Sequence, residues 1–271
     1  MIKDITIGQY FPGNSVVHKL DPRIKIVLTV FMIAELFVCK NFYSLALACA
    51  FAVFAVLVSK ISIRLIMKGM KSIAIIIVFT SLLQIFYNDK GTVLLEWWKI
   101  KVTSSGLCTS AFMIVRIMAL IFVSSLLTYT TSPTALTDGI ERLLSPLNYI
   151  KVPVHTLAMM MTIALRFIPT LIDEIEKITD SQKARGADLE TGGLVQRAKA
   201  LVPVFVPLFV NSFRRAYELA FAMECRCYTG GEGRTRMKKF KLCARDYISL
   251  VIVVLVLAGI IVLNYFFKAV I

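Results

Sequence analysis

Five apolar runs constrain this chain more than any other feature: residues 24–39, 42–59, 72–87, 107–130 and 247–267. A spanning helix needs about 20 predominantly apolar residues, with about 17 as the lower end. The last two runs clear that length. The first three lie at its edge and draw on their flanks, and a re-entrant segment among them is the alternative that length leaves. With 58% hydrophobic residues and a mean hydropathy of +0.76 over 271 residues, the chain carries more apolar side chain than a soluble core of that size needs. The expected fold is an all-α polytopic membrane protein of about five transmembrane helices plus a domain of long helices. Its parts are a membrane domain at 1–130 with about four spans, a cytoplasmic domain at 131–246, and a terminal span at 247–271.

The formal charge of +14 fits such hydrophobicity only if the two are segregated along the chain, and they are. Lys3, Lys19, Arg23 and Lys25 precede the first run, Lys60, Arg64, Lys68 and Lys71 separate the second from the third, and 131–246 is heavily charged. Lys/Arg excess marks cytoplasmic segments. That places the N-terminus, 60–71 and 131–246 in the cytoplasm and the C-terminus outside, in the plasma membrane of a prokaryotic cell. Trp97 and Trp98, in the milder 88–105 segment, suit a membrane interface. The aromatic-basic interleaving of a nucleic-acid face is missing, so no nucleic-acid partner is expected. Residues 1–23 are polar, with Pro12, Gly13, Asp21 and Pro22, and lack the apolar stretch of a cleavable signal.

Within 131–246, Ser132-Pro133-Thr134 starts a short helix that reaches about Leu144 and breaks at Pro146. A long helix is predicted from Val154 to Arg185, apolar in its first half and charged in its second, with a kink at Pro169. Gly186 ends it and Gly192-Gly193 turn the chain. A second long helix follows from Leu194 to Arg226. Its apolar stretch at 201–213 is too short to span and is interrupted by Pro203 and Pro207; Arg197, Lys199, Arg214 and Arg215 at its ends suit anionic headgroups.

The two long helices end alike, in Ala184-Arg185-Gly186 and Cys225-Arg226-Cys227. Each sets an arginine between small residues at a helix C-terminus. Cations are favoured in a last helical turn, worth about 0.3–1 kcal/mol each, which alone accounts for one arginine per end. Small neighbours also expose the guanidinium, whose rigid fork of donors suits docking to another protein's carboxylates and carbonyls.

With these residues in place, the chain resembles the T components of energy-coupling factor (ECF) transporters along essentially its whole length. The resemblance rests on Gly8-Gln-Tyr-Phe-Pro-Gly-Asn-Ser15 and His18-Lys-Leu-Asp21-Pro22-Arg23-Ile-Lys25, similar to the family's N-terminal signature, and on Ala184-Arg185-Gly186. It implies a non-catalytic coupling subunit with two cytoplasmic ATP-binding cassette ATPase partners that receive the arginine tips. It further implies one or more membrane-embedded S components that hold the substrate, a vitamin or other micronutrient. ATP and magnesium would bind the partners, and this chain would hold no cofactor. The second motif often reads Ala-Arg-Gly in the family; Cys227 here takes a positive φ less cheaply than glycine. A dedicated cobalt or nickel T component is the closest alternative, and a secondary transporter the next. No Gly-x-x-x-x-Gly-Lys-Ser/Thr phosphate loop occurs.

Glu35 and Arg116 are the ionisable residues well inside apolar runs. At 1.5 Å rise per residue, Glu35 lies about 16 Å from Ile24 and Arg116 about 13 Å from Leu107, which sets both near mid-bilayer and predicts an intramembrane ion pair. His18 and His155 have no evident catalytic partner. Met159-Met160-Met161 reads as adaptable packing surface. The basic run Arg234, Arg236, Lys238, Lys239, Lys241 and Arg245 reads as a cytoplasmic flank of the last helix. The six cysteines form neither a disulfide framework nor a zinc site.

Overall fold

The computed structural model describes residues 10–87, 93–97, 100–187, 193–230 and 242–267. Lys3, Gly8, Gln9, Trp98, Gly192 and the basic residues Arg234 to Lys241 lie outside the described residues. Eight α-helices are present among the described residues: α1 (Pro22–Val38), α2 (Phe42–Ser59), α3 (Ile63–Tyr87), α4 (Ser104–Thr130), α5 (Pro133–Leu143), α6 (Val154–Ala184), α7 (Leu194–Glu224) and α8 (Ala244–Phe266). A 3-10 turn, Ser145–Ile150, follows α5 at the predicted break. One short antiparallel hairpin pairs β1 (Val93–Trp97) with β2 (Ile100–Thr103), Val93 opposite Thr103 and Trp97 opposite Ile100. The protein is an all-helical membrane protein with that hairpin as its one departure among the described residues.

Among the described residues four helices are long and apolar enough to cross a bilayer: α2, α4, α6 and α8. The first apolar run forms α1, whose 17 residues sit at the lower edge of spanning length and outside these four, and two further differences from the sequence reading follow. The third apolar run begins within a helix that starts at Ile63, so most of the charged 60–71 stretch is helical; the apolar part of α3 is Ile73–Ile85, too short to count as a span. Lysine and arginine are good helix formers, so their arrival marks a change of solvent and not the end of a helix. The second difference is α6, assigned from sequence to a cytoplasmic domain but carrying a span-length apolar window in its own right.

The described residues divide into two compact units, one within 10–139 with 242–267 and the other within 140–230. In the first, α1, α2, α4 and α8 pack around Leu36, Leu45, Phe112, Val253 and Ile260. The helix ends are stitched by side chains. Asn41, beside the start of α2, donates from Nδ2 to the carbonyls of Phe267 at 2.7 Å and Leu263 at 3.3 Å. Asn264 of α8 returns the contact, donating to Val38 O at 2.8 Å and accepting from Lys40 N–H at 3.2 Å. The last carbonyls of any helix lack intrahelical donors, and an apolar medium offers no water to replace them. The two asparagines supply that need for both α1 and α8.

In the second unit α6 and α7 form an antiparallel pair. Glu174 on α6 accepts from Asn211 Nδ2 at 2.6 Å and pairs with Arg215 at 3.0 Å, while Gln182, farther along α6, reaches back to Pro203 O at 3.5 Å. That last contact has a local cause. Pro207 has no N–H to give the Pro203 carbonyl one helical turn before it, and Gln182 takes its place. Both long helices run through their prolines, Pro169 in α6 and Pro203 and Pro207 in α7.

Asn41 is almost fully buried, and Asn41→Ala would strand the Phe267 carbonyl just past α8, while Leu263 O would keep the Phe267 N–H. We expect a loss of about 1–3 kcal/mol, read as a lowered unfolding temperature of the detergent-solubilised protein. An unchanged transition would show that the carbonyl finds another donor.

Candidate functional site: two arginine-bearing helix ends and a buried N-terminal junction

The two motif arginines occupy equivalent positions in one termination geometry. At the end of α6, Gly186 N–H donates to Lys183 O at 2.9 Å and Ala187 N–H to Gln182 O at 3.0 Å. At the end of α7, Cys227 N–H donates to Glu224 O at 2.8 Å and Tyr228 N–H to Met223 O at 3.1 Å. This is the paired bonding of a Schellman cap, with a left-handed residue just past each arginine. Gly186 has φ +86° and Cys227 φ +57°. Cys227 therefore adopts the conformation that glycine takes at the first tip, at the steric cost a side chain brings there.

Ala184, Arg185 and Gly186, and likewise Cys225, Arg226 and Cys227, are exposed. Among the described residues neither guanidinium is held by a hydrogen bond or ion pair. The antiparallel pairing puts the tips at opposite ends of the hairpin. Gln182 lies beside Pro203, and α7 runs on from there to Arg226, so the two arginines stand on the order of 40 Å apart at 1.5 Å per residue.

The N-terminal signature forms a junction and not an exposed site. Asp21 is the N-cap of α1, its Oδ1 accepting Arg23 N–H at 3.0 Å, and Pro22 takes the first helical position, where no donor is lost. Arg23 Nε also lies 3.6 Å from Asp21 Oδ1. The Asp21 N–H donates to Asp246 Oδ1 at 3.0 Å, and Asp246 Oδ2 accepts Cys243 N–H at 2.8 Å. One buried carboxylate thus caps α8 and grips the start of α1. Lys25 Nζ donates to Thr130 O at 2.9 Å and His18 O at 3.1 Å, closing off α4. His18 contacts Ser15 Oγ at 2.6 Å and Phe11 O at 3.1 Å, and a Cβ at Gly13 would come within 2.8 Å of its ring. Asp246 and Thr130 escaped the sequence reading, since nothing near them in the chain shows that they meet Asp21 and Lys25.

The ion pair expected between Glu35 and Arg116 is not formed. Arg116 donates to the Cys39 carbonyl, just past the end of α1, and stacks over Phe112 with its guanidinium carbon 4.7 Å from the ring centroid. The orphaned carbonyls at that helix end, with their partial negative charge, recruit the cation. Glu35 is 2% exposed and its Oε1 has no hydrogen-bond partner among the described residues. His155, which showed no acid partner in sequence, sits with Nδ1 2.8 Å from Glu141 Oε1, a contact that ties α6 to the end of α5. No group of three or more His, Cys, Asp or Glu able to hold a metal occurs among the described residues. All six cysteines are free thiols.

The profile of the CbiQ family, described as cobalt transport protein, matches residues 13–237. An energy-coupling factor transporter transmembrane protein EcfT from Clostridium kluyveri is 56% identical over 250 residues, 92% of this chain and 93% of that protein. The chain belongs to this family. The EcfT of Ruminiclostridium cellulolyticum is 49% identical over 267 residues, covering 98% of this chain and all of its own length. That of Bacillus subtilis strain 168 is 43% identical over 269 residues, again end to end for the relative and 99% of this chain. As a member of the EcfT family the chain is the T component of an ECF transporter, a transmembrane transport subunit, and both arginine tips and the buried junction fall within the matched segment or its flank.

Replacing Cys227 with glycine should firm the end of α7 by about 1 kcal/mol, because the left-handed φ then carries no side-chain penalty. Gly186→Ala should loosen α6 by a similar amount; amide exchange at Tyr228 and Ala187 reads both. Burial holds the His18 pKa below its ordinary 6.5, aided by Lys25 and opposed by the Phe11 carbonyl. The unfolded chain therefore binds this proton more readily than the folded one. The contribution of His18 to stability is complete above about pH 6.5 and falls as pH drops through the lowered folded value. Unfolding followed against pH should show that slope, and His18→Gln should flatten it.

Proposed function

We propose that this chain couples two cytoplasmic ATPase subunits to a membrane-embedded, substrate-holding S component, and that Arg185 and Arg226 are its two handles. The observation that carries the reading is the pair of matched arginine caps at opposite ends of the α6–α7 hairpin. Two like tips on the order of 40 Å apart are too distant for one groove and suit two like partners side by side. Arginine keeps its charge and offers a rigid fork of donors to each. A change in the spacing of the partners on ATP binding or release would then load the hairpin from both ends. The Glu174–Asn211–Arg215 and Gln182–Pro203 contacts make α6 and α7 move as a unit, which a two-state coupling element requires.

Between the tips, α6 and α7 expose Met160, Met161, Phe205, Phe209 and Phe213. On this reading that face lies along the membrane and receives the S component, with polarizable methionines letting different partners repack against it. The Lys/Arg-rich segments orient the N-terminus and both tips to the cytoplasm of a prokaryotic cell. ATP and magnesium belong to the ATPase partners, so the chain itself catalyses nothing. The cargo is a vitamin or other micronutrient chosen by the S component. The family description, cobalt transport protein, favours a second reading in which one fixed partner carries a metal ion.

The test is affinity purification of the tagged protein in mild detergent with mass spectrometry of its companions. ATPase subunits plus several small hydrophobic proteins support a shared module, and a single such companion supports the dedicated metal system. Charge reversal at Arg185 and Arg226 together should weaken ATPase retention at least about thirtyfold, the scale of losing desolvated charge contacts, and stop ATP-driven uptake. An undisturbed complex would overturn the docking assignment.

A further inference from the structure

Beyond the coupling role, and independent of it, the membrane unit contains a cleft of about 230 Å³ between α1, α2, α4 and α8. Its walls are Leu28 and Met32 of α1, Phe51 and Phe54 of α2, and Ile248 and Ile252 of α8. Phe54, Ile248 and Ile252 are also exposed, so the cleft opens sideways where lipid surrounds the helices. Charge is confined to one end. Lys25, Thr130 and Arg245 lie there, and the walls from Lys25 to Met32, and from Arg245 to Ile252, run about 10 Å into apolar surroundings by helical rise.

We propose that this cleft holds one acyl chain of an anionic phospholipid, with the phosphate seated against Arg245 and Lys25. The occupant follows from charge and shape together. Arg245 is exposed and, among the described residues, engages no hydrogen bond or ion pair, leaving its donors free for a phosphate. Lys25 is buried and gives two of its three N–H groups to His18 O and Thr130 O, so one remains. The neighbouring carboxylates, Asp21 and Asp246, already accept from the backbone N–H groups of Arg23, Asp21 and Cys243. A zwitterionic lipid would bring its own cation up beside Arg245 and Lys25 and so gain less from them, and a soluble anion would leave the apolar walls uncovered. A lipid seated here bridges the first and last helices at the junction built on Asp246.

The experiment is native mass spectrometry of the full chain in mild detergent, titrated with phosphatidylglycerol and with phosphatidylcholine of the same acyl composition. One phosphatidylglycerol should be retained about fivefold more tightly, the worth of one cation near a lipid phosphate. Arg245→Gln, a surface change that leaves the fold intact, should bring the two lipids to parity. Ala55→Trp, on the α2 wall of the cleft, should lower retention of both by filling it. Equal retention of the two lipids by the unaltered protein, or an undiminished preference in Arg245→Gln, would overturn the proposal. So would a co-purifying membrane protein that crosslinks at Phe54→Cys and displaces the lipid.

Discussion

Every helix ends with carbonyls and amides that its own ladder cannot use, and in a bilayer the surroundings offer them nothing. The membrane unit is organised around that demand. At one end of α8, Asp246 accepts amides from Asp21 and Cys243; at the other, Asn41 and Asn264 exchange bonds with the ends of α8 and α1. A helix that arrives last in the chain is thereby held to the first at both its ends. Dispersion packing around Phe112 and Ile260 has little directional preference. The polar end contacts supply register, because a shifted helix would strand several buried groups at once.

The same demand explains Arg116. A charge at that depth is costly, and an acidic partner is one way to hold it. The structure uses another, a carbonyl left over at the end of α1 with an aromatic ring beneath the guanidinium. In the second unit the demand is met at Pro203, whose carbonyl loses its donor to Pro207 and finds Gln182 on the neighbouring helix. A break in one helix becomes a contact between two, and the hairpin that carries both arginines is pinned close to one of its tips.

Much of this was legible in the residues. The helices α2, α4, α6, α7 and α8 begin and end within about three residues of where the apolar runs, prolines and glycines place them. Arg185 and Arg226 stood out because two long helices end in the same small-Arg-small pattern. The start of α3 was missed because Arg64, Lys68 and Lys71 report on solvent and not on backbone. The Glu35–Arg116 pairing failed because equal depth says nothing about which faces of two helices meet. His155 found Glu141, and Asp21 found Asp246, across separations that no local pattern spans.

The sequence by itself determined that the chain is helical, membrane-embedded and tipped by two exposed arginines, since hydrophobic length, charge placement and cap residues are local properties of consecutive residues. The kinship with EcfT proteins was legible in the same way, from short contiguous motifs. Only the tertiary structure decided that the arginines stand at opposite ends of an antiparallel pair and that Cys227 copies the left-handed turn of Gly186. It alone decided that the signature around Asp21 is a buried clamp on α8. Those facts depend on which distant groups satisfy one another, and that choice is made by the folded chain as a whole.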